Sequence, residues 1–205
     1  MNFLTFEDNY LAGQSPERKI IMTNKEKALA LIGTFVSGDT AKVKELLAPG
    51  YIQHNLAFGT GADAFVAAVE GLAQAPVKTT VNNIRAFEDG DKVFLQTVYN
   101  FAGAGEQVGF DVFRFDADGK IAEHWDNLAD KAAPNPSGHT QIDGTLEKKD
   151  VDKEETRNVV AGFVGDVPTT YYDLFRVENG FIAEHWDVME TLADKSTWAN
   201  ENGKF

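Results

Sequence analysis

The chain has 205 residues, 43% hydrophobic and 25% charged, the proportions of a folded globular protein and not of a disordered one. Nineteen basic against 32 acidic residues leave a formal charge of −13, which repels phosphate backbones and anionic lipid, so neither nucleic acid nor a membrane is expected as a partner. Cysteine is absent, which excludes disulfides, thiolate metal sites and cysteine nucleophiles, and fits a cytoplasmic setting.

Residues 1–21 lack the basic start and apolar run of a secretory signal and suit an arm or dispensable leader. Thr23 and Glu26 form a capping box, and Leu29, Ile32, Phe35 and Val36 carry a helical period that ends near Gly38. Asp39 caps a short second helix through Leu46 and Leu47, stopped by Ala48-Pro49-Gly50, and residues 51–61 read as a loop. Asp63 caps a third helix whose Phe65, Val69 and Leu72 make one apolar stripe, ending before Pro76. The period then changes to two. Residues 79–88 and 92–101 alternate around Asp89-Gly90, a two-residue hairpin signal, and residues 107–115 and 120–128 follow as a second hairpin. Three helices before an antiparallel meander predict an α+β fold, a cone-shaped bent sheet wrapped around the N-terminal helices with a pocket on its concave face.

The second hairpin occurs twice. Asp111-Val-Phe-Arg and Ile121-Ala-Glu-His-Trp-Asp return as Asp173-Leu-Phe-Arg and Ile182-Ala-Glu-His-Trp-Asp, with the turn one residue shorter. With residues 116–119 as the loop, Phe115 faces Lys120, Phe113 faces Ala122 and Asp111 faces His124; in the second copy Asp173 meets His185. The prolines and glycines of residues 132–149 read as a linker. Residues 150–167 parallel the first helix, but the offset between helices is 128 and between hairpins 62, so about 66 residues are missing from the second copy. The expected organisation is an arm at 1–21, a cone domain at 22–131, a linker at 132–149 and an incomplete second copy at 150–205, an appended helix plus β-hairpin. So small a piece must dock, on the first domain or on another chain, through Phe163, Val164, Phe175, Ile182 and Trp186.

Tyr-Ile-Gln-His-Asn at 51–55, Asp-Val-Phe-Arg at 111–114 and Gly-Lys-Ile-Ala-Glu-His-Trp-Asp at 119–126 resemble the SnoaL-like polyketide cyclase family of the nuclear transport factor 2-like superfamily. The resemblance covers about residues 22–131 and implies a cone of bent sheet and three helices. It also implies a cofactor-independent cyclase or isomerase acting by enolate, aldol-type chemistry on a small apolar carbonyl compound, with Asp111 as acid/base and His124 and His54 as its polar companions. The superfamily also holds plain binding proteins, so a non-catalytic ligand-binding or assembly module is the alternative.

Ring closure by aldol condensation needs a base for an acidified α-proton and a donor for the enolate, roles an Asp and a His in one pocket can fill. Phe113 and Phe115 share the Asp111 face and, with Tyr51, are the substrate-binding candidates. The plainer reading makes Asp111 and His124 a structural pair, leaves Asp126 solvated and puts His54 on an exposed loop. Trp125 faces the other way, toward packing or a subunit interface, and Arg114 pairs with Glu123 on that side. Asp111, His124 and His54 lack the tight spacing of a metal motif, so no metal is assigned. His139 lies in the linker, exposed, and a homodimer through the outer sheet face is expected.

Overall fold

The computed structural model describes residues 22–145, 154, 171–190 and 194–203. The arm at 1–21, the second copy's helix and Phe163 and Val164 lie outside the described residues. Helix α1 (Asn24–Ser37) opens on the Thr23–Glu26 capping box and closes on Gly38, whose φ of 73° is the left-handed conformation a glycine adopts freely. Helix α2 (Thr40–Leu46) is capped by Asp39. Helix α3 (Ala62–Gln74) is capped by the backbone at Gly61, and Asp63 sits in the first turn instead, where its charge suits the helix dipole.

Between α2 and α3 the chain forms a strand, β1 (Leu47–Gln53), in place of the helix stop and loop expected there. It runs parallel to β5 (Ile121–Asp130) at the sheet edge, and its register shifts between Leu47 and Ile52, around Pro49. An edge strand with a bulge tolerates proline. Strands β2 (Thr80–Asp89), β3 (Lys92–Asn100), β4 (Gln107–Phe115) and β5 form the antiparallel meander, so the sheet order is β1-β5-β4-β3-β2. The α+β cone is as expected, with one parallel edge strand added.

The helices cover the inner face, where Leu31, Val43, Val69, Leu95, Phe113 and Ile121 make the main core. The outer face carries a second cluster. There Val98, Val108 and Phe110 are buried beneath Trp186 and Val188 of the hairpin β6 (Tyr171–Glu178) and β7 (Phe181–Met189). The β6–β7 hairpin thus packs on the five-stranded sheet through Trp186, while Ile182 and Phe175 are outside this cluster, where Tyr172, Leu174 and Val188 lie. The linker is pinned to the same face, with Gln96 donating to the Gln141 carbonyl (2.8 Å) and Arg85 donating to the Asp143 carbonyl. Among the described residues no helix is long and apolar enough to cross a membrane.

Candidate functional site

In the β4–β5 hairpin the ladder pairs Asp111 with Asp126 and Phe113 with His124, two residues away from the register expected. The turn closes one residue later, with the Asp116 amide donating to the Lys120 carbonyl (2.9 Å), and a bulge beyond Arg114 adds one more. Two single-residue shifts restore the face, because side chains alternate with period two. Asp111 and His124 therefore meet diagonally, with Nε2 3.1 Å from Asp111 Oδ1. The same nitrogen lies 3.5 Å from Asp126 Oδ2, and all three side chains are buried. Asp126 is not solvated.

Three residues that sequence reasoning did not single out complete the polar cluster. Tyr99, on β3, donates its hydroxyl to Asp111 Oδ2 (2.8 Å). Burial, and next the Asp111 charge, push this phenol well above its ordinary value, so it stays a donor at neutral pH. Its ring lies over Gly109, where an added Cβ would come within 2.7 Å of it. Gln53 and Asn55 come from the end of β1 and the turn after it. The Gln53 carbonyl oxygen accepts the Asn55 amide (2.9 Å), which directs its NH₂ group to His124 Nδ1 at 3.0 Å. The Asn55 oxygen accepts the Ala57 amide (2.9 Å), which directs its NH₂ to Asp126 Oδ1. A donor facing Nδ1 requires that nitrogen to be bare, so the network assigns the His124 proton to Nε2, where it is donated to Asp111.

That tautomer bears on metal binding. Ligand atoms of Asp111, His124 and Asp126 lie within 4.8 Å of one another, close enough to share a divalent ion. An ion on Nε2 would move the proton to Nδ1, against the Gln53 NH₂ group, two donors with no acceptor between them. The donor set fits a proton between carboxylates better than a cation.

The cluster forms the polar end of a cavity of about 420 Å³. Its remaining walls are Phe35, Phe58, Phe65, Leu72, Phe101 and Leu128 with small residues of α3. None of Phe113, Phe115 and Tyr51 lines it. Phe113 lies flat on the His124 ring (4.2 Å between centroids), Phe115 is in the core, and Tyr51 is edge-on to Phe65. His54 is not brought to Asp111 either. Gln53 pairs with His124 and turns inward, so the next residue turns outward, and His54 stacks on Trp125 at 4.4 Å. There it reaches the Gly203 carbonyl through Nδ1 (2.9 Å), with Nε2 3.4 Å from Glu123, which is bound in turn by Arg114 as expected. His139 is exposed beside Asp143. Asp126 was legible, two residues from His124 on the same face; Tyr99 and Gln53 needed the strand order.

The family model for the SnoaL-like domain matches residues 28–124. Solved structures with a similar fold include an NTF2-like protein of unknown function from Cytophaga hutchinsonii (16% identity, TM-score 0.47, covering 54% of this chain and 94% of that one). A proposed polyketide cyclase from Streptomyces antibioticus has 22% identity and a TM-score of 0.44, over 52% and 92% of the two chains. A steroid delta-isomerase from Pseudomonas aeruginosa has 20% identity and a TM-score of 0.41, over 58% and 85%. No curated protein sequence matches the chain.

Proposed function

We propose that the SnoaL-like domain binds a small, largely apolar carbonyl compound and performs enolate chemistry on it, of the cyclase or isomerase type, without a cofactor. One observation carries the reading: a buried carboxylate, Asp111, held by the Tyr99 hydroxyl and His124 Nε2–H at the polar end of an apolar cavity. Asp111 abstracts the α-proton. Its two donors fix the orientation of the carboxylate, and the apolar walls exclude the water that would compete for it. Asp126, placed by Asn55 beside the same imidazole nitrogen, is the second acid/base group, positioned to hand a proton to the enolate or aldol oxygen.

Deuterium uptake at the central carbon of benzoylacetone, followed by NMR in D₂O, tests this. Wild-type protein should accelerate exchange over buffer, and Asp111→Asn should remove about 10²–10⁴-fold of that rate while ligand affinity changes little. Exchange no faster than buffer, with the compound bound, would favour a binding module.

That second reading has its own observation. The hairpin β6–β7 keeps the Asp173–His185 bond (2.7 Å) and the stack of Phe175 on His185 (4.3 Å), and His185 is exposed. A motif that persists there serves the hairpin's own structure, and a binding domain would need nothing more from it.

A further inference from the structure

We propose that residues 199–203, beyond the second hairpin, are a positioning strap that holds the pocket loop of the SnoaL-like domain in its working geometry. The loop at 53–60 makes three separate contributions to the site. Gln53 fixes the tautomer of His124, Asn55 orients Asp126, and Phe58 and Gly59 line the cavity, with Phe58 40% exposed at its mouth. Within the loop the Phe58 amide reaches the Asn55 carbonyl and the Gln53 amide reaches Thr60 Oγ1, both at 3.2 Å, which leaves carbonyls such as those of Leu56 and Phe58 to find partners elsewhere.

The strap supplies partners along the loop. The Ala199 amide donates to the Leu56 carbonyl (2.8 Å). Asn200, buried at 8% exposure, donates its NH₂ group to the carbonyls of Asn55 (3.0 Å) and Phe58 (2.9 Å). Its oxygen accepts the Asn202 amide (2.9 Å), and the Asn202 NH₂ donates to the Gln53 carbonyl (2.7 Å) and to Thr60 Oγ1 (2.9 Å). Gly203 then takes His54 Nδ1–H, fixing the residue between Gln53 and Asn55 against Trp125. Two asparagines so placed read the loop's backbone carbonyls, and neither touches the cavity. Residues far from Asp111 in sequence thereby set the orientation of the two amides that define the acid/base cluster.

The catalytic consequence rests on the proposed enolate chemistry, but the positioning itself does not, and the experiment separates them. Asn202 is exposed, so Asn202→Ala in the full chain should fold; Asn200→Ala is the stronger, buried variant. Amide hydrogen exchange of residues 53–60 should quicken about five- to a hundredfold in Asn202→Ala, the equivalent of two lost hydrogen bonds, to the Gln53 carbonyl and to Thr60 Oγ1. Long-range ¹H–¹⁵N spectra of the His124 ring should change from a single Nε2–H tautomer to a mixture, while the melting temperature stays within a few degrees. If benzoylacetone exchange is catalysed at all, its rate at saturation should fall in step. An unchanged loop exchange rate and an unchanged His124 tautomer in both variants would overturn the strap. A wild-type protein that catalyses nothing, yet shows these two changes, would overturn the proposed chemistry and leave the strap standing.

Discussion

The two hairpins of this chain are nearly the same object in different surroundings. Both ladders place Asp opposite Asp and Phe opposite His, both carry a bulge after the Arg, and both join that Arg to a Glu. In each the His ring lies flat on the Phe, at 10° in the first and 4° in the second, and bonds the first Asp through Nε2. Burial separates them: the side chains of His124 and Asp111 are 6% and 4% exposed, those of His185 and Asp173 32% and 21%. What makes the first copy a site is therefore supplied from outside the motif, by Tyr99, Gln53, Asn55 and the helices. Gly109, which lets Tyr99 lie over β4, corresponds in the second copy to Tyr171, so that arrangement could not be repeated there. The outer faces tell the converse story. Trp125 is covered by His54, while its counterpart Trp186 is driven into the first sheet beneath the Arg85 guanidinium, 4.4 Å away.

The sharpest break in the comparison is at the tryptophans. Trp186→Ala should cost about 3–5 kcal/mol in chemical denaturation, because it empties the centre of the second cluster. It would also bare Val98, Val108 and Phe110, the outer face through which a homodimer was expected, and light scattering should then report self-association. A loss below about 1 kcal/mol would mean the second hairpin is only loosely held.

Next come the histidines. His124→Phe leaves the buried Asp111 with one donor fewer and should cost about 1–3 kcal/mol, together with any catalysed exchange. His185→Phe breaks a more exposed pair, and should cost less than about 1 kcal/mol without touching exchange. Equal effects at the two sites would mean that burial is not what separates the copies. Tyr99→Phe is milder, about 1 kcal/mol at neutral pH. Because its folded pKa is raised, Tyr99 stabilises fully below its ordinary 10.0 and the contribution is lost as pH rises through the folded value, so the variant should soften the alkaline limb of the stability curve.

The fold was readable because its signals are local. A capping box, a left-handed glycine and an Asp-Gly turn each act within a few residues; the first two were found where expected, and the turn lies one residue on, at Gly90-Asp91, with Asp89 still paired to Lys92. Strand β1 was hidden by Pro49-Gly50, which reads as a breaker unless the chain has an edge with a bulge to put it on. The Asp111–His124 contact was legible through an inexact register, since an error of two residues keeps the face. Gln53 and His54 are adjacent in one motif, and only the pairing of β1 with β5 decides which of them points inward. A histidine is the more reactive of the two, so chemistry favoured the wrong neighbour.

The smallest expected difference lies in the arginine–glutamate pairs. Burial alone would raise the Glu123 carboxyl, but the Arg114 bond and charge, with His54 behind them, outweigh it and hold the group below its ordinary 4.5. A depressed carboxylate contributes stability above its unfolded pKa and loses it as pH falls through the folded one, so the window opens near pH 4.5 and extends below it. Glu123→Gln should flatten that part of the acid limb by a few tenths of a kcal/mol to about 1, as for a partly exposed pair. Glu184 of the second hairpin is likewise bound by Arg176. An acid limb unchanged by Glu123→Gln would show that the Arg114 and His54 contacts do not hold this carboxyl down.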